Sequence, residues 1–161
     1  MSNEDNSPPP VVLDNGTGYV KCGFASAEES PPIVFPSCVG RRVVRFEEAL
    51  DNSSQNSSLT VVGQECIDNR QNYEVSYPIK NGIVTSWQDM ILVWEHAIYD
   101  ELKLTREEIG ERTILLTEAP QNPIKNREKM VEIMFTHFGF KGVLVHVQAV
   151  LTLYSQGLMT G

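Results

Sequence analysis

Cysteine, positive charge and long apolar runs are all scarce in this sequence, and each scarcity closes off a class of protein. The three cysteines, Cys22, Cys38 and Cys66, are an odd number with no C-x-x-C or histidine-paired spacing. That excludes a disulfide framework or a zinc site and predicts reduced, mostly buried thiols in a cytosolic setting. Lys and Arg number 13 against 21 Asp and Glu, a net charge of −8. An acidic chain is a poor fit to nucleic acid or anionic membrane, because phosphate binding draws on a basic surface. No apolar run reaches the roughly 18 residues of a membrane span, so no membrane insertion is expected. Residues 1–10 (MSNEDNSPPP) lack the basic start and apolar stretch of a signal peptide and read as a disordered tail.

What is present is ordinary globular composition, 41% hydrophobic and 21% charged. Its 161 residues make one domain able to bury about 70% of its extended surface, with room for a small insertion. Short strand-like runs at 11–14 and 19–24 flank Asn15-Gly16-Thr17-Gly18, a hairpin through a tight turn. A third strand is expected near 33–35 or 38–39, and the Ser/Asn/Gln-rich stretch 47–60 reads as a mobile loop. Ser86 with Asp89 three positions on is a capping-box-like helix start, and Trp87, Met90, Ile91, Trp94 and Ile98 follow as a buried stripe. A strand is predicted at 113–117. A helix over 125–138 follows, with Asn122 as N-cap, Pro123 in its first turn, Met130, Ile133, Met134 and Phe138 inward, and Gly139 or Gly142 as its end. A strand at 143–147 and a helix at 148–156 stopped by Gly157 complete the chain. Strands, then an insertion, then helix–strand alternation define an α/β fold: a mixed sheet flanked by helices on both faces.

The chemistry concentrates at Asp14-Asn15-Gly16-Thr17-Gly18-Tyr19-Val20-Lys21. Two glycines around a hydroxyl residue leave backbone N–H groups free to converge on an anion. Thr17 adds a hydroxyl, Lys21 a positive charge, and Asp14 could hold Mg²⁺ through its waters. No G-x-x-x-x-G-K-[ST] run occurs, so this is not a Walker A loop. A bare Asn-Gly between strands is more often only a hairpin turn. His96, His137 and His146 are scattered without ligand spacing, and Arg41, Arg42 and Arg45 read as a solvated basic cluster beside the loop.

Four longer runs, D-N-G-T-G-Y-V-K-C-G-F at 14–24, Y-P-I-K-N-G-I-V at 77–84, L-L-T-E-A-P-Q-N-P-I-K-N-R-E-K-M at 115–130 and Q-A-V-L-T-L-Y at 148–154, resemble the actin family in order and spacing. The resemblance implies an actin-like (RNase H-like) ATPase half with a small inserted subdomain at 41–76, in a fold where ATP and Mg²⁺ lie between two related halves. It implies nucleotide-binding roles for Asn15, Gly16, Thr17, Gly18, Tyr19 and Lys21, and places Asp14 near the metal. Gln148 matches the residue that orients the attacking water, a task for a neutral side chain with both donor and acceptor. Tyr154, Gly157 and Leu158 match part of a hydrophobic cleft where partners bind.

Conventional actins carry a histidine where Asn81 stands, and a Met/Gly loop where this chain has D-N-S-S-Q-N-S-S at 51–58. So polar a loop buries little apolar area against a neighbour, which argues against self-polymerisation. The resemblance is therefore to the actin-related branch. It implies an ATP-binding subunit of the complex that nucleates branched actin filaments, in the cytoplasm and the actin cytoskeleton of cortex and cell projections. Its expected partners are a sister actin-related protein, accessory subunits, actin and nucleation-promoting factors. Gln64, where an acidic residue is usual, and a longer loop depart from the pattern. The alternatives are a fragment of conventional actin, which forms filaments, or an ATPase of the wider sugar-kinase and Hsp70 superfamily. The match ends at Gly161, ahead of the family's second phosphate loop, so the expectation is a truncated chain that does not hydrolyse ATP alone.

Overall fold

The structure, a computed structural model, describes residues 7–26, 30–43 and 59–158. The expected loop lies almost wholly outside them, as do residues 1–6 of the expected tail and Arg45. Pro9 and Pro10 are not loose: the Pro9 carbonyl accepts from Arg112 Nη1 at 2.9 Å and the Pro10 carbonyl from the Ala25 amide at 2.8 Å.

A five-stranded sheet organises the chain. β1 (Val11–Asn15), β2 (Tyr19–Phe24) and β3 (Ile33–Pro36) form an antiparallel meander. β9 (Thr113–Glu118) pairs with β1 in parallel, and β10 (Gly142–Val147) pairs with β9 in parallel, giving the order β10-β9-β1-β2-β3. Both candidate positions for a third strand are strands. β3 completes the meander, while β4 (Val39–Arg42) leaves for a second sheet with β5 (Thr60–Val62) and β6 (Tyr73–Ser76), all antiparallel. This smaller sheet and α1 (Gln64–Asp68) enclose a separate cluster of Cys38, Val61, Cys66 and Tyr73. Burial pushes the Cys38 thiol up to about 12 and the Cys22 thiol up to about 11, so both stay protonated at neutral pH.

β7 (Ile79–Lys80) and β8 (Ile83–Val84) form a two-residue hairpin with Asn81 and Gly82 both at positive φ, 52° and 76°. This is the Asn-Gly turn chemistry of a primed hairpin. Gly82 is also forced by packing, because a Cβ there would sit 2.6 Å from that of Ala119.

α2 (Trp87–Glu95) and α4 (Ile124–Ile133) carry the main core. Both continue into a wider π-helical turn, His96–Glu101 and Met134–Phe138, which the uniform helical spacing did not predict. The Leu102 and Gly139 amides donate to Ala97 and Met134 carbonyls five residues back, and Gly139 at φ 84° stops the second helix. Of the expected stripe, Met90, Trp94 and Ile98 are fully buried, while Trp87 and Ile91 are half-buried at its edge.

Two helix starts differ from expectation for one reason, which is that side chains found stronger partners, and a third helix was not expected at all. Ser86 Oγ accepts from the Asp89 amide, but the Asp89 carboxylate does not return. It takes Arg41 and the Ser76 hydroxyl instead, so Arg41 is an ion-pair partner and not a freely solvated cation. Asn122 does not cap α4, because its amide donates to Glu118 Oε2 at 2.9 Å; Pro123 occupies the cap position and the helix begins at Ile124. The full reciprocal capping box belongs to Thr105 and Glu108 and opens α3 (Arg106–Glu111), an element absent from the expected order.

α5 (Gln148–Ser155) ends at Gly157 as expected, with φ 71°. The Gly157 amide donates to Tyr154 and the Leu158 amide to Leu153, a Schellman pair.

Candidate functional site

Strand alternation sorts the sheet into two faces. Val11, Leu13, Val20, Cys22, Ile114 and Leu116 point into the main core. Asp14, Lys21 and Thr117 alternate with them and emerge on the opposite face, at the end of the sheet where β1, β9 and β10 all finish. Gln148, the first residue of α5, follows β10 to the same place.

These side chains meet. Thr117 Oγ1 donates to Asp14 Oδ1, and Gln148 Nε2 donates to the same oxygen at 2.8 Å and to Thr117 Oγ1 at 3.1 Å. Lys21 Nζ lies 3.6 Å from Asp14 Oδ2. The group opens onto a cleft of about 510 Å³ lined by Asp14, Gly16, Thr117, Gln148 and, from α5, Leu151, Thr152 and Ser155.

The hairpin turn beside it is held tightly. Gly16 has no alternative, because a Cβ would stand 2.3 Å from the Tyr19 carbonyl oxygen. Among the described residues the Thr17 and Gly18 amides donate to no backbone carbonyl, whereas the Gly16 amide donates to Asp14 at 3.2 Å. Adjacent unpaired amides in a turn are an anion-binding arrangement. Thr17 Oγ1 accepts from the Gly82 amide at 3.1 Å, tying the turn to the β7–β8 hairpin and leaving the hydroxyl proton for another acceptor.

Asn15 is placed differently from its neighbours. It is buried; its Oδ1 accepts from Trp94 Nε1 at 2.9 Å, its Nδ2 donates to the Thr117 carbonyl at 3.4 Å, and its amide donates to Thr117 Oγ1 at 3.2 Å. Asn15 therefore roots the turn in the core and offers its side chain inward. Tyr19 is exposed at the start of β2. Tyr154, Gly157 and Leu158 lie exposed at the far end of α5, with the Tyr154 ring edge-on to His146 at 5.8 Å.

Thr117 was missed as a site residue. Its signal was the polar end of an otherwise apolar strand, T-I-L-L-T, one residue short of a second buried polar group, Glu118. Glu118 is held by Arg127 and Asn122. Burial pushes its carboxyl up, but those hydrogen bonds and the Arg127 charge outweigh burial and leave it below the ordinary carboxylate range. Among the described residues no group of three or more His, Cys, Asp or Glu could hold a metal ion directly. Asp14 suits the looser role of a carboxylate toward a hydrated cation, since among the described residues its Oδ2 has only the distant Lys21 as partner.

A hairpin whose Thr17 and Gly18 amides donate to no backbone carbonyl, a lysine, a carboxylate and a glutamine meet at one end of the mixed sheet of an α/β protein. Its sequence places it within that class: the Actin family model matches residues 5–161, and the chain belongs to the actin family. It is 56% identical over 153 residues to Actin-related protein 2 of Oryza sativa subsp. indica, 53% over 151 residues to that of Arabidopsis thaliana, and 47% over 152 residues to that of Saccharomyces cerevisiae. Each match covers 94% of this chain and 37–38% of the relative, so the chain spans a little over a third of the length of these relatives. Family membership removes the sugar-kinase and Hsp70 alternatives. No helix among the described residues is long and apolar enough to cross a membrane.

Proposed function

We propose that this chain is a phosphate-binding portion of an ATP-binding actin-related subunit of the complex that nucleates branched actin filaments. The observation that carries the proposal is the convergence of Asp14, Thr117, Gln148 and Lys21 beside the free Thr17 and Gly18 amides, in a chain about half identical to Actin-related protein 2. In this reading the Gly16–Gly18 turn and Lys21 take the phosphates, with Asn15 and Tyr19 flanking them. Asp14 stands toward Mg²⁺, which when bound supplies charge neutralisation on the phosphate oxygens. Gln148 orients water across the cleft. The smaller sheet is the inserted lobe, and exposed Tyr154, Gly157 and Leu158 belong to a partner surface. A sister actin-related protein, accessory subunits, actin and nucleation-promoting factors are the partners, in the cytoplasmic actin cytoskeleton.

The test separates binding from turnover in the full-length polypeptide. Lys21→Ala should weaken ATP binding by about 1.5–3 kcal/mol, the worth of a charged hydrogen bond. Gln148→Ala should leave affinity nearly intact and slow hydrolysis, because its interaction matters in the transition state. Unchanged ATP affinity in Lys21→Ala by calorimetry would sink the phosphate-loop reading.

A further inference from the structure

We infer that Thr117 is a positioning residue that decides which end of the Gln148 amide faces the cleft. The inference rests on the reading of Gln148 as the residue that orients water.

A threonine hydroxyl has one proton to give and two lone pairs to receive. Thr117 uses all three: it donates to Asp14 Oδ1 and accepts from the Asn15 amide at 3.2 Å and from Gln148 Nε2 at 3.1 Å. An ionised carboxylate only accepts, so the part of Gln148 that lies 2.8 Å from Asp14 Oδ1 must be its NH₂ group. One amide proton then goes to Asp14 and the other to Thr117, and none is left over. The Gln148 carbonyl oxygen has no hydrogen-bond partner among the described residues, and it is the amide's one remaining polar function.

Turning the amide over would set that oxygen against two acceptors. One is the Asp14 carboxylate, and the other is a hydroxyl whose only proton is committed to Asp14. The hydroxyl proton could turn to that oxygen only by giving up Asp14, whose Oδ1 would then face two acceptors with no proton between them, while the Asn15 amide holds the hydroxyl oxygen in place. Asn15 is itself pinned to buried Trp94 through Oδ1 at 2.9 Å. A hydrogen-bond chain thus runs from the core tryptophan through Asn15 and Thr117 to Gln148. It presents an acceptor to the cleft, the polarity needed to take a proton's hydrogen bond from an attacking water. Without the hydroxyl, one bond to Asp14 remains and the amide is free to rotate about it.

The experiment measures single-turnover ATP hydrolysis and ATP affinity in the full-length polypeptide for Thr117→Val, Thr117→Ser and Gln148→Ala. Thr117→Val keeps the shape and removes the hydroxyl; hydrolysis should slow about 10- to 100-fold, the usual cost of a misplaced positioning group. ATP affinity should change by less than about threefold, since the lost interaction matters in the transition state. Thr117→Ser keeps the hydroxyl and should hold both quantities within about threefold of the parent. A Thr117→Val enzyme at parental rate, or losing affinity and rate in parallel, overturns the inference. So does a Thr117→Ser enzyme that is markedly slow, a result independent of how well the valine variant folds. If Gln148→Ala is slow while Thr117→Val is not, only the Thr117 role fails. If Gln148→Ala is itself at parental rate, the reading of Gln148 fails and this inference with it.

Discussion

The two faces of the five-stranded sheet are built to different standards. On one, Leu13, Ile114 and Leu116 meet Met90, Trp94 and Met134 from the helices, all of them 0–1% exposed. On the other, α5 borders the cleft beside Asp14 and Thr117 with Leu151, Thr152 and Ser155, and none of its residues is fully buried. Beyond α5, an apolar cleft of about 470 Å³ runs over Val12, Leu115 and Leu144. The candidate site sits where the two regimes meet. Asn15 belongs to the finished face, Asp14 and Gln148 to the open one, and Thr117 joins them. Precision at the site is inherited from the core through a few polar contacts, while its outlook is onto unfilled space. Such a division suits a surface that holds a ligand or closes against another part of a larger assembly.

The comparison breaks most readily at Trp94. Trp94→Ala should destabilise this chain by about 3–5 kcal/mol, the range for removing a large buried aromatic. Trp94→Phe should cost less, about 1–3 kcal/mol, mainly for leaving Asn15 Oδ1 without its donor. Urea unfolding followed by circular dichroism measures both. A Trp94→Ala loss below about 1 kcal/mol would mean that the helix-covered face is not the stabilising one.

A smaller effect sharpens the comparison through pH. Glu118 is buried and Arg127 partly exposed, and the carboxyl pKa is lowered in the fold. A lowered folded-state pKa contributes stability that is full above the unfolded value and is lost as pH falls through the folded one. Asp89 adds to the same trend: burial pushes its carboxyl up, but Arg41, Ser76 and the Arg41 charge prevail and leave it low. Stability should therefore fall as pH drops below the ordinary carboxylate range. Arg127→Ala should destabilise the fold at neutral pH, because it leaves the buried Glu118 carboxylate without its charged partner. In the variant the Arg127 hydrogen bonds and charge no longer oppose burial and the Asn122 hydrogen bond remains, so Glu118 protonates at higher pH than in the parent and the gap between variant and parent closes in acid. A gap that stays constant from neutral pH to pH ~3 would show that the pair contributes no charge-dependent stability.

The sequence made the open and covered faces unequally legible. Alternation and helical spacing placed β1, β2, β9, β10, α4 and α5 within a few residues, because buried apolar side chains set those periods. The Asp14–Lys21 hairpin was legible as a motif and Gln148 only through the family resemblance, and the structure brings them together. The misses at the site and at the helix starts are polar. Asn122, Asp89 and Thr117 each carry a local signal that long-range partners overrode: Glu118 for Asn122, Arg41 and Ser76 for Asp89, Asp14 and Gln148 for Thr117. Thr117 and Gln148 are 31 residues apart in sequence, and no local pattern reports such a meeting. The Thr105–Glu108 capping box and the Asn81-Gly82 turn were different, since both were written locally and overlooked.

The smallest thermodynamic effect belongs to Leu144, and it tests the open face directly. Leu144 is 58% exposed, stands on the edge strand of the sheet and borders the apolar cleft. Removing a side chain that water already reaches takes away little buried area, so Leu144→Lys should shift unfolding stability by no more than about 0.5 kcal/mol. Solution behaviour should change more than stability. An exposed apolar patch promotes association, and a strand edge left unpaired among the described residues adds a template for pairing. A lysine answers both, placing charge on the patch and on the edge. This chain should therefore self-associate with rising concentration and bind a hydrophobic dye, and Leu144→Lys should reduce both while leaving the circular dichroism spectrum unchanged. Sedimentation velocity across a concentration series reads the first quantity and dye fluorescence the second. A destabilisation above about 1 kcal/mol would show that Leu144 is covered in solution, because only a buried position carries such a cost. The two faces would then be less different than their exposures indicate.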